Sequence, residues 1–222
     1  MITSLVALLI FCVYWIWATS ATLDGTPAEC FTIKQQKYSA KVNYWVINDY
    51  DVSCWWTDVI IPESISWYTI EWIYDYAFYN KWITSVVIPD TVVNIWIQSF
   101  AENNIDNVVL WNSVSIIWQG AFSWNGIVSL VVPWSVSIIS DGAFQNNLLK
   151  TVVLQDWVSM IGINAFKNNQ IGYAYLPSSI SKIGEWSFDE NENMVVVVED
   201  VKSFVDDWFS LWFEIVERQK DY

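Results

Sequence analysis

The 222-residue chain contains no histidine. That absence removes Ser-His-Asp and Cys-His dyads and every histidine-ligated metal site. Cysteine is scarce, and Cys12, Cys30 and Cys54 are too few for a four-thiolate zinc site. Basic residues are few as well. Lys and Arg number 10 against 24 Asp and Glu, a net charge of −14. No basic surface exists to displace phosphate counterions, so nucleic acid is excluded as a partner. Glycine is the fourth shortage, with 7 residues, under half the usual share of roughly 7 %. Tryptophan is correspondingly abundant, with 17. No cofactor or metal is expected, and enzymatic chemistry narrows to carboxylate, lysine or tyrosine groups.

Residues 1–21 carry no charged side chain, and Leu5 to Tyr14 is an unbroken apolar run ending near Ala18-Thr19-Ser20-Ala21. This reads as a secretory signal peptide with cleavage near Ala21. No Lys or Arg precedes the run, which departs from the usual pattern. An uncleaved anchor is the alternative, but Leu5 to Ala18 spans 14 residues, short of the ~20 needed to cross a bilayer. No second stretch of spanning length follows. The expected localisation is secreted or cell surface, with no transmembrane span after signal removal. Export puts Cys30 and Cys54 in an oxidising compartment. A bridge between them closes a loop of about 25 residues, worth about 3 kcal/mol in the loop-entropy account. Two separate buried thiols are the alternative.

The middle of the chain repeats. Blocks begin at Ile83, Ile105, Ile127, Leu149 and Ile171, each 22 residues after the last. A partial block follows near Asn193, and 58–82 is a longer variant upstream. Within each block a β-branched run such as Val86-Val87-Ile88 or Val152-Val153-Leu154 reads as a strand. Pro89, Pro133 and Pro177 end three of them. Phe78, Phe100, Phe122, Phe144, Phe166 and Phe188 form an aromatic column, each preceded by Ala or Ser. These rings are expected to stack in contact as a core spine. Asn103, Asn125, Asn147, Asn169 and Asn191 form a polar column just after it. Asn tolerates left-handed backbone and bonds its own main chain, so it suits a repeated turn. A single block cannot bury its apolar face, whereas stacked blocks can, which gives a one-dimensional array.

The pattern strand-Pro-x-x-Val-x-x-Ile-Gly-x-x-Ala-Phe-x-x-Asn resembles the BspA-type leucine-rich repeat of bacterial surface proteins. The resemblance covers about 58–198. The cysteine that often follows Ala-Phe in that family is absent, and Asn columns stand instead. The resemblance implies an α/β repeat solenoid, with short strands stacked in parallel and short helical or irregular turns between them. The organisation is then a signal peptide (1–21), an N-terminal segment or cap (22–57), the solenoid (58–198), and a C-terminal cap or the start of a further region (199–222). In the last segment Phe204, Phe209, Phe213 and Val216 could mark one helical face.

The tryptophans sit where glycine belongs. The fourteenth position of the block holds Trp96, Trp118, Ser140, Gly162 and Gly184. Trp111, Trp134 and Trp157 stand at the turn after the strand, and Trp124 replaces Asn146 and Asn168 in a tight turn. Trp does not substitute for Gly where φ is positive or backbones approach closely. Some bacterial lineages read the UGA codon as glycine, while another code reads it as tryptophan. On that reading the two residue types together make 24 glycines. Built as Trp, the turn residues are expected to protrude, and Trp96 and Trp118 to be neighbours.

The acidic pairs Asp49/Asp51, Asp189/Glu190 and Asp206/Asp207 are the candidates for acid–base or Ca²⁺ chemistry. Asp189-Glu190-Asn191-Glu192, the densest group, lacks the spacing of a Ca²⁺ loop, and a solvated turn is the reading preferred for it. No catalytic, cofactor or metal residue is assigned. The expected function is non-enzymatic: binding of a protein or other surface macromolecule, with adhesion implied by the resemblance. A spacer or scaffold segment of a longer envelope protein is the alternative. A carboxylate glycosidase, needing two carboxyls facing across a cleft, is the remote one.

Overall fold

A computed structural model describes residues 26–37, 43–192, 194–198 and 214–217. The signal segment with Cys12, Asp206/Asp207, and Phe204, Phe209 and Phe213 of the expected helical face lie outside them. Strands β1 (Phe31–Lys37) and β2 (Asn43–Tyr50) form an antiparallel pair at the N-terminal end. β3 (Asp58–Ile60) opens the repeat, and β4 (Ser64–Ile65) folds back on β5 (Tyr68–Ile73). From there each turn carries one strand of four residues and one of two. The longer set is β6 (Ser85–Ile88), β8 (Asn107–Leu110), β10 (Ser129–Val132), β12 (Thr151–Leu154), β14 (Tyr173–Leu176) and β16 (Val195–Val198). The shorter set is β7 (Asn94–Ile95), β9 (Ile116–Ile117), β11 (Ile138–Ile139), β13 (Met160–Ile161) and β15 (Lys182–Ile183). A last strand, β17 (Glu214–Glu217), adds in parallel to β16.

The result is a β-solenoid of about 7 turns. The short strands continue one sheet ordered β1-β2-β5-β7-β9-β11-β13-β15. The long strands form a ribbon in two pieces, β3-β6-β8 and β10-β12-β14-β16-β17. Pairing is parallel because each turn brings the chain back in the same direction. Val86 pairs with Val108, Leu130 with Val152, Val152 with Ala174, and Ile117 with Ile139. Every one of those pairs is 22 residues apart, so the sequence period is the rung of the array.

Strand periodicity sorts the side chains. In β10 and β12, Leu130, Val132, Val152 and Leu154 are buried while Ser129, Val131, Thr151 and Val153 are exposed. Proline then stops the ladder and starts a turn. The Val92, Val136 and Ile180 N–H groups donate to the carbonyls of Pro89, Pro133 and Pro177 at 3.1, 3.1 and 3.2 Å.

The expectation of an α/β solenoid with helical turns is corrected. Among the described residues there is no α-helix, only two short 3-10 turns at Ala28–Cys30 and Val52–Cys54. The backbone explains why. Around each Phe the chain makes i+3 bonds such as Ala121 N–H to Trp118 O, but a left-handed residue interrupts every one of these turns. That column is Tyr76, Gln98, Gly120, Gly142, Asn164 and Trp186, with φ from +49 to +62. Four residues on comes a second left-handed column: Asn80, Glu102, Trp124, Asn146, Asn168 and Glu190, with φ from +51 to +58. A right-handed helix cannot propagate through either. Val216 likewise falls in a strand and not on a helical face.

The β1–β2 hairpin closes the N-terminal end of the core. Phe31 and Tyr50 set their rings 6.2 and 5.4 Å from Phe78, the first ring of the aromatic column. The Tyr50 hydroxyl donates to the Trp56 carbonyl at 2.9 Å. Burial, then the nearby Asp51 carboxylate, pushes its phenol up to about 12. A disulfide joins Cys30 to Cys54 across a separation of 24 residues. The bridge links the two 3-10 turns and holds the hairpin on the array. Replacing both cysteines by Ala should lower stability by about 3 kcal/mol, read from the denaturant midpoint under oxidising conditions. An unchanged midpoint would mean that the hairpin is held by its ring contacts alone.

Candidate functional site

The acidic candidates are occupied with structure. Asp49 pairs with Lys81 at 2.9 Å, and the Asp51 carboxylate accepts the Ser53 N–H at 2.8 Å. Asp189 and Glu190 both grip Lys167, at 2.9 and 3.1 Å, and those hydrogen bonds raise the Lys167 ammonium above its ordinary value. Among the described residues no group of three or more His, Cys, Asp or Glu is placed to hold a metal ion. No helix of the described residues is long and apolar enough to cross a membrane.

The two conspicuous columns of the sequence point inward. Phe78, Phe100, Phe122, Phe144, Phe166 and Phe188 are fully buried. Their rings stack with centroids 4.7, 5.1, 5.4, 5.6 and 5.2 Å apart. The Asn column does more than the self-bonded turn expected of it. The left-handed residue is the one before each Asn, and the Asn side chain joins neighbouring rungs. The Ile127 N–H donates to Asn147 Oδ1 at 3.1 Å, and Asn147 Nδ2 donates to the Phe122 carbonyl at 2.9 Å and the Phe144 carbonyl at 3.1 Å. Asn103, Asn125, Asn169 and Asn191 repeat the pattern. A serine ladder, not foreseen from the sequence, adds to it. Ser137, Ser159 and Ser181 each donate Oγ–H to the carbonyl of the serine one rung before, at 3.1, 3.0 and 3.1 Å.

With these columns inside, what remains for function faces out. The third residue of each long strand, the middle of the β-branched run, lies on the outer face of the ribbon. Val109, Val131 and Val153 are 38, 64 and 42 % exposed in one line, continued by the half-buried Tyr175 and Val197. Asn107, Ser129, Thr151 and Tyr173 run beside them. The alternation of period two along each strand was the signal that separates this outward line from its buried flanks.

The family model described as the BspA type leucine rich repeat region matches residues 71–195 in 6 copies. The chain belongs to this family. The solved structures agree in fold. The pneumococcal vaccine antigen PcpA superposes with a TM-score of 0.66 at 17 % identity, over 77 % of this chain and 49 % of its own. A leucine-rich repeat protein from Bacteroides ovatus gives 0.64 at 19 %, over 89 % and 52 %. A leucine rich cell surface protein from Faecalibacterium prausnitzii gives 0.56 at 20 %, over 82 % and 56 %. The chain therefore spans about half the length of these proteins. No curated protein matches it.

Within this BspA-type array the tryptophans divide into two groups. Trp111, Trp134 and Trp157 are 52, 53 and 70 % exposed at the turns after the strands. Trp55, Trp67, Trp82, Trp124, Trp157 and Trp186 all have left-handed backbone, with φ of 61, 75, 63, 58, 96 and 54°. Trp186 shares its column with Gly120 and Gly142, whose φ values are 62 and 60°. The second group is packed. Trp72 is buried, and Trp96 stacks on Trp118 at 5.0 Å. Both stacked indoles hide an Nε1–H that has no acceptor, which is unusual for buried tryptophan. Further along their column, a Cβ at Gly162 would meet the Asp141 backbone nitrogen and one at Gly184 the Ile163 nitrogen.

Proposed function

We propose that the protein is exported and displayed at the cell surface, where the outer face of its ribbon binds another protein. The observation that carries this reading is the exposed line Val109, Val131 and Val153. An ordered row of apolar side chains on a rigid sheet, flanked by small polar groups, is the pattern of an interaction surface. The family membership and the surface location printed for one structural neighbour support it. Adhesion is the role this suggests. The test is binding of the labelled chain to intact bacterial cells and to immobilised extracellular-matrix proteins. Binding should be saturable, and Val131→Lys/Val153→Lys should abolish it while leaving the melting temperature unchanged. A folded chain that binds none of these surfaces would overturn the reading and leave the spacer role.

The same reading takes most of the tryptophans to be glycine in the source organism. Six of them on left-handed backbone and two buried, unpaired indole N–H groups support this. Trp157 has the largest φ of the set, 96°. Trp157→Gly should raise stability by about 1 kcal/mol, because an L side chain in that region is strained and glycine is not. Chemical denaturation checks it, and a loss of stability would count against recoding. Sequencing the source DNA decides the matter: UGA codons are expected at Trp96, Trp118 and Trp134, and UGG codons there would refute it.

A further inference from the structure

On the side of the array formed by the Phe turns, away from the valine line, lies a groove of about 330 Å³. Gln98, Gln119, Ser123, Asp141, Gln145 and Asn164 line it. They come from four successive rungs, so the groove runs along the array. The side-chain amides of Gln98, Gln119 and Gln145 hold no hydrogen bond among the described residues. Asn164 Oδ1 is buried without a donor. Gly120 and Gly142 are part of the lining. Each is left-handed, and a Cβ on either would stand 3.1 to 3.2 Å from the Gln98 or Gln145 side chain. Both glycines therefore leave the amides room.

We infer that this groove binds a neutral oligosaccharide, lying along the rungs and held by the unpaired amides. The chemistry of the lining selects the ligand. No cation is present and Asp141 is the one charged group, so an anionic ligand gains nothing there, least of all on a chain of charge −14. Primary amides both donate and accept, which matches hydroxyl groups that do the same. An extended peptide fits less well. The backbone N–H groups of Gly120, Gly142 and Asn164 already donate to the carbonyls of Asp141, Ile163 and Glu185 at 3.0, 2.8 and 3.1 Å. No sheet edge is therefore open here for strand addition. Apolar side chains in the lining are limited to Ile163 and Trp124. The Trp124 indole plays no part in this binding, and a glycine there would widen the groove. The groove is a second face with a different ligand, independent of the ribbon proposed to bind protein.

Isothermal titration of the full chain tests it against neutral β-linked gluco-, manno-, xylo- and N-acetylglucosamine oligosaccharides, with uncharged peptides of similar length as the comparison. At least one neutral oligosaccharide should bind. Gln119→Ala/Gln145→Ala should weaken it about tenfold or more, since the hydrogen bonds lost are worth about that factor. The melting temperature should not move, because these amides hold nothing in the fold. Gln98→Ala should act in the same direction as an independent variant. Val131→Lys/Val153→Lys should leave saccharide binding intact, which separates this inference from the fate of the ribbon face. Absence of binding at millimolar saccharide, binding indifferent to the glutamine variants, or tighter binding of the peptides would each overturn it.

Discussion

Phe144→Ala should cost about 3–5 kcal/mol, near the upper end for a single truncation. The ring is fully buried midway along the array. It lies between Phe122 at 5.4 Å and Phe166 at 5.6 Å, nearly parallel to both. Collapse cannot refill the hole cheaply. The Phe122 N–H donates to Ala143 O and the Phe144 N–H to Ala165 O, both at 2.8 Å, so the rungs on either side are held at fixed spacing. The array is quasi-one-dimensional, and a defect at its centre weakens the coupling between two halves. The variant should therefore show a broader denaturant transition as well as a lower midpoint. A loss below about 1 kcal/mol would mean that the column is not core.

Asn147→Ala should cost about 2 kcal/mol, the middle of the range for one buried donor left without an acceptor. It strips the Ile127 N–H of its acceptor and takes one of two side-chain donors from the Phe122 and Phe144 carbonyls, which keep Asn125 Nδ2 at 3.2 Å and Asn169 Nδ2 at 3.0 Å. A buried polar group left unpaired costs about 1–3 kcal/mol. Asn147→Asp separates the two halves of the contribution. A carboxylate still accepts the Ile127 N–H but sets negative charge against two carbonyl oxygens, so its folded pKa must rise above that of an unfolded aspartate. Between those two values the folded state binds more protons than the unfolded state, and stability falls as pH rises. Relative to the parent, the variant should recover stability as the pH is lowered from neutrality towards the ordinary aspartate range. Thermal melts across that interval check it, and a pH-independent difference would show that the carbonyls do not face the side chain.

The array was legible because its information is redundant. Each strand, each proline stop and each Phe recurs at the same offset, so one pattern announces itself several times. Pairs such as Val86 with Val108 follow from that offset alone. The N-terminal half of the hairpin and the serine ladder had no such signal. Phe31 and Tyr50 meet Phe78 only through tertiary packing. Of the helical or irregular turns that the resemblance implied, only the irregular kind is found among the described residues of the array. The left-handed column at Gln98, Gly120, Gly142, Asn164 and Trp186 rules helix out, and only two of its members are glycine, so the column was not visible as a glycine pattern. Asn147 and its equivalents were recognised as a column with local main-chain partners, and the Phe144 carbonyl is one, but their bonds to the rung before were not foreseen. Local propensity supplies the turn and the Phe144 carbonyl, whereas the Phe122 carbonyl and the Ile127 N–H come only with stacking. The outward valines were hidden in a run of three apolar residues, where composition says core and only the strand period says otherwise. The groove glutamines carry no sequence signal, since they come from different positions of the repeat.

The central claim is that residues 22 apart lie on adjacent rungs, with Val131 paired in register with Val153. Oxidative cross-linking measures this directly, because both side chains face solvent and their replacement disturbs no core contact. A parallel neighbour lies at about 4.8 Å, within reach of a disulfide, whereas two rungs put the backbones about 9.6 Å apart, beyond it. Val131→Cys/Val153→Cys should form an intramolecular bridge in near-complete yield under mild oxidation, mapped by peptide mass. Val131→Cys/Tyr175→Cys should stay unbridged under the same conditions. Equal yields in the two variants, or a bridge only in the second, would contradict the stacked register on which the whole account stands.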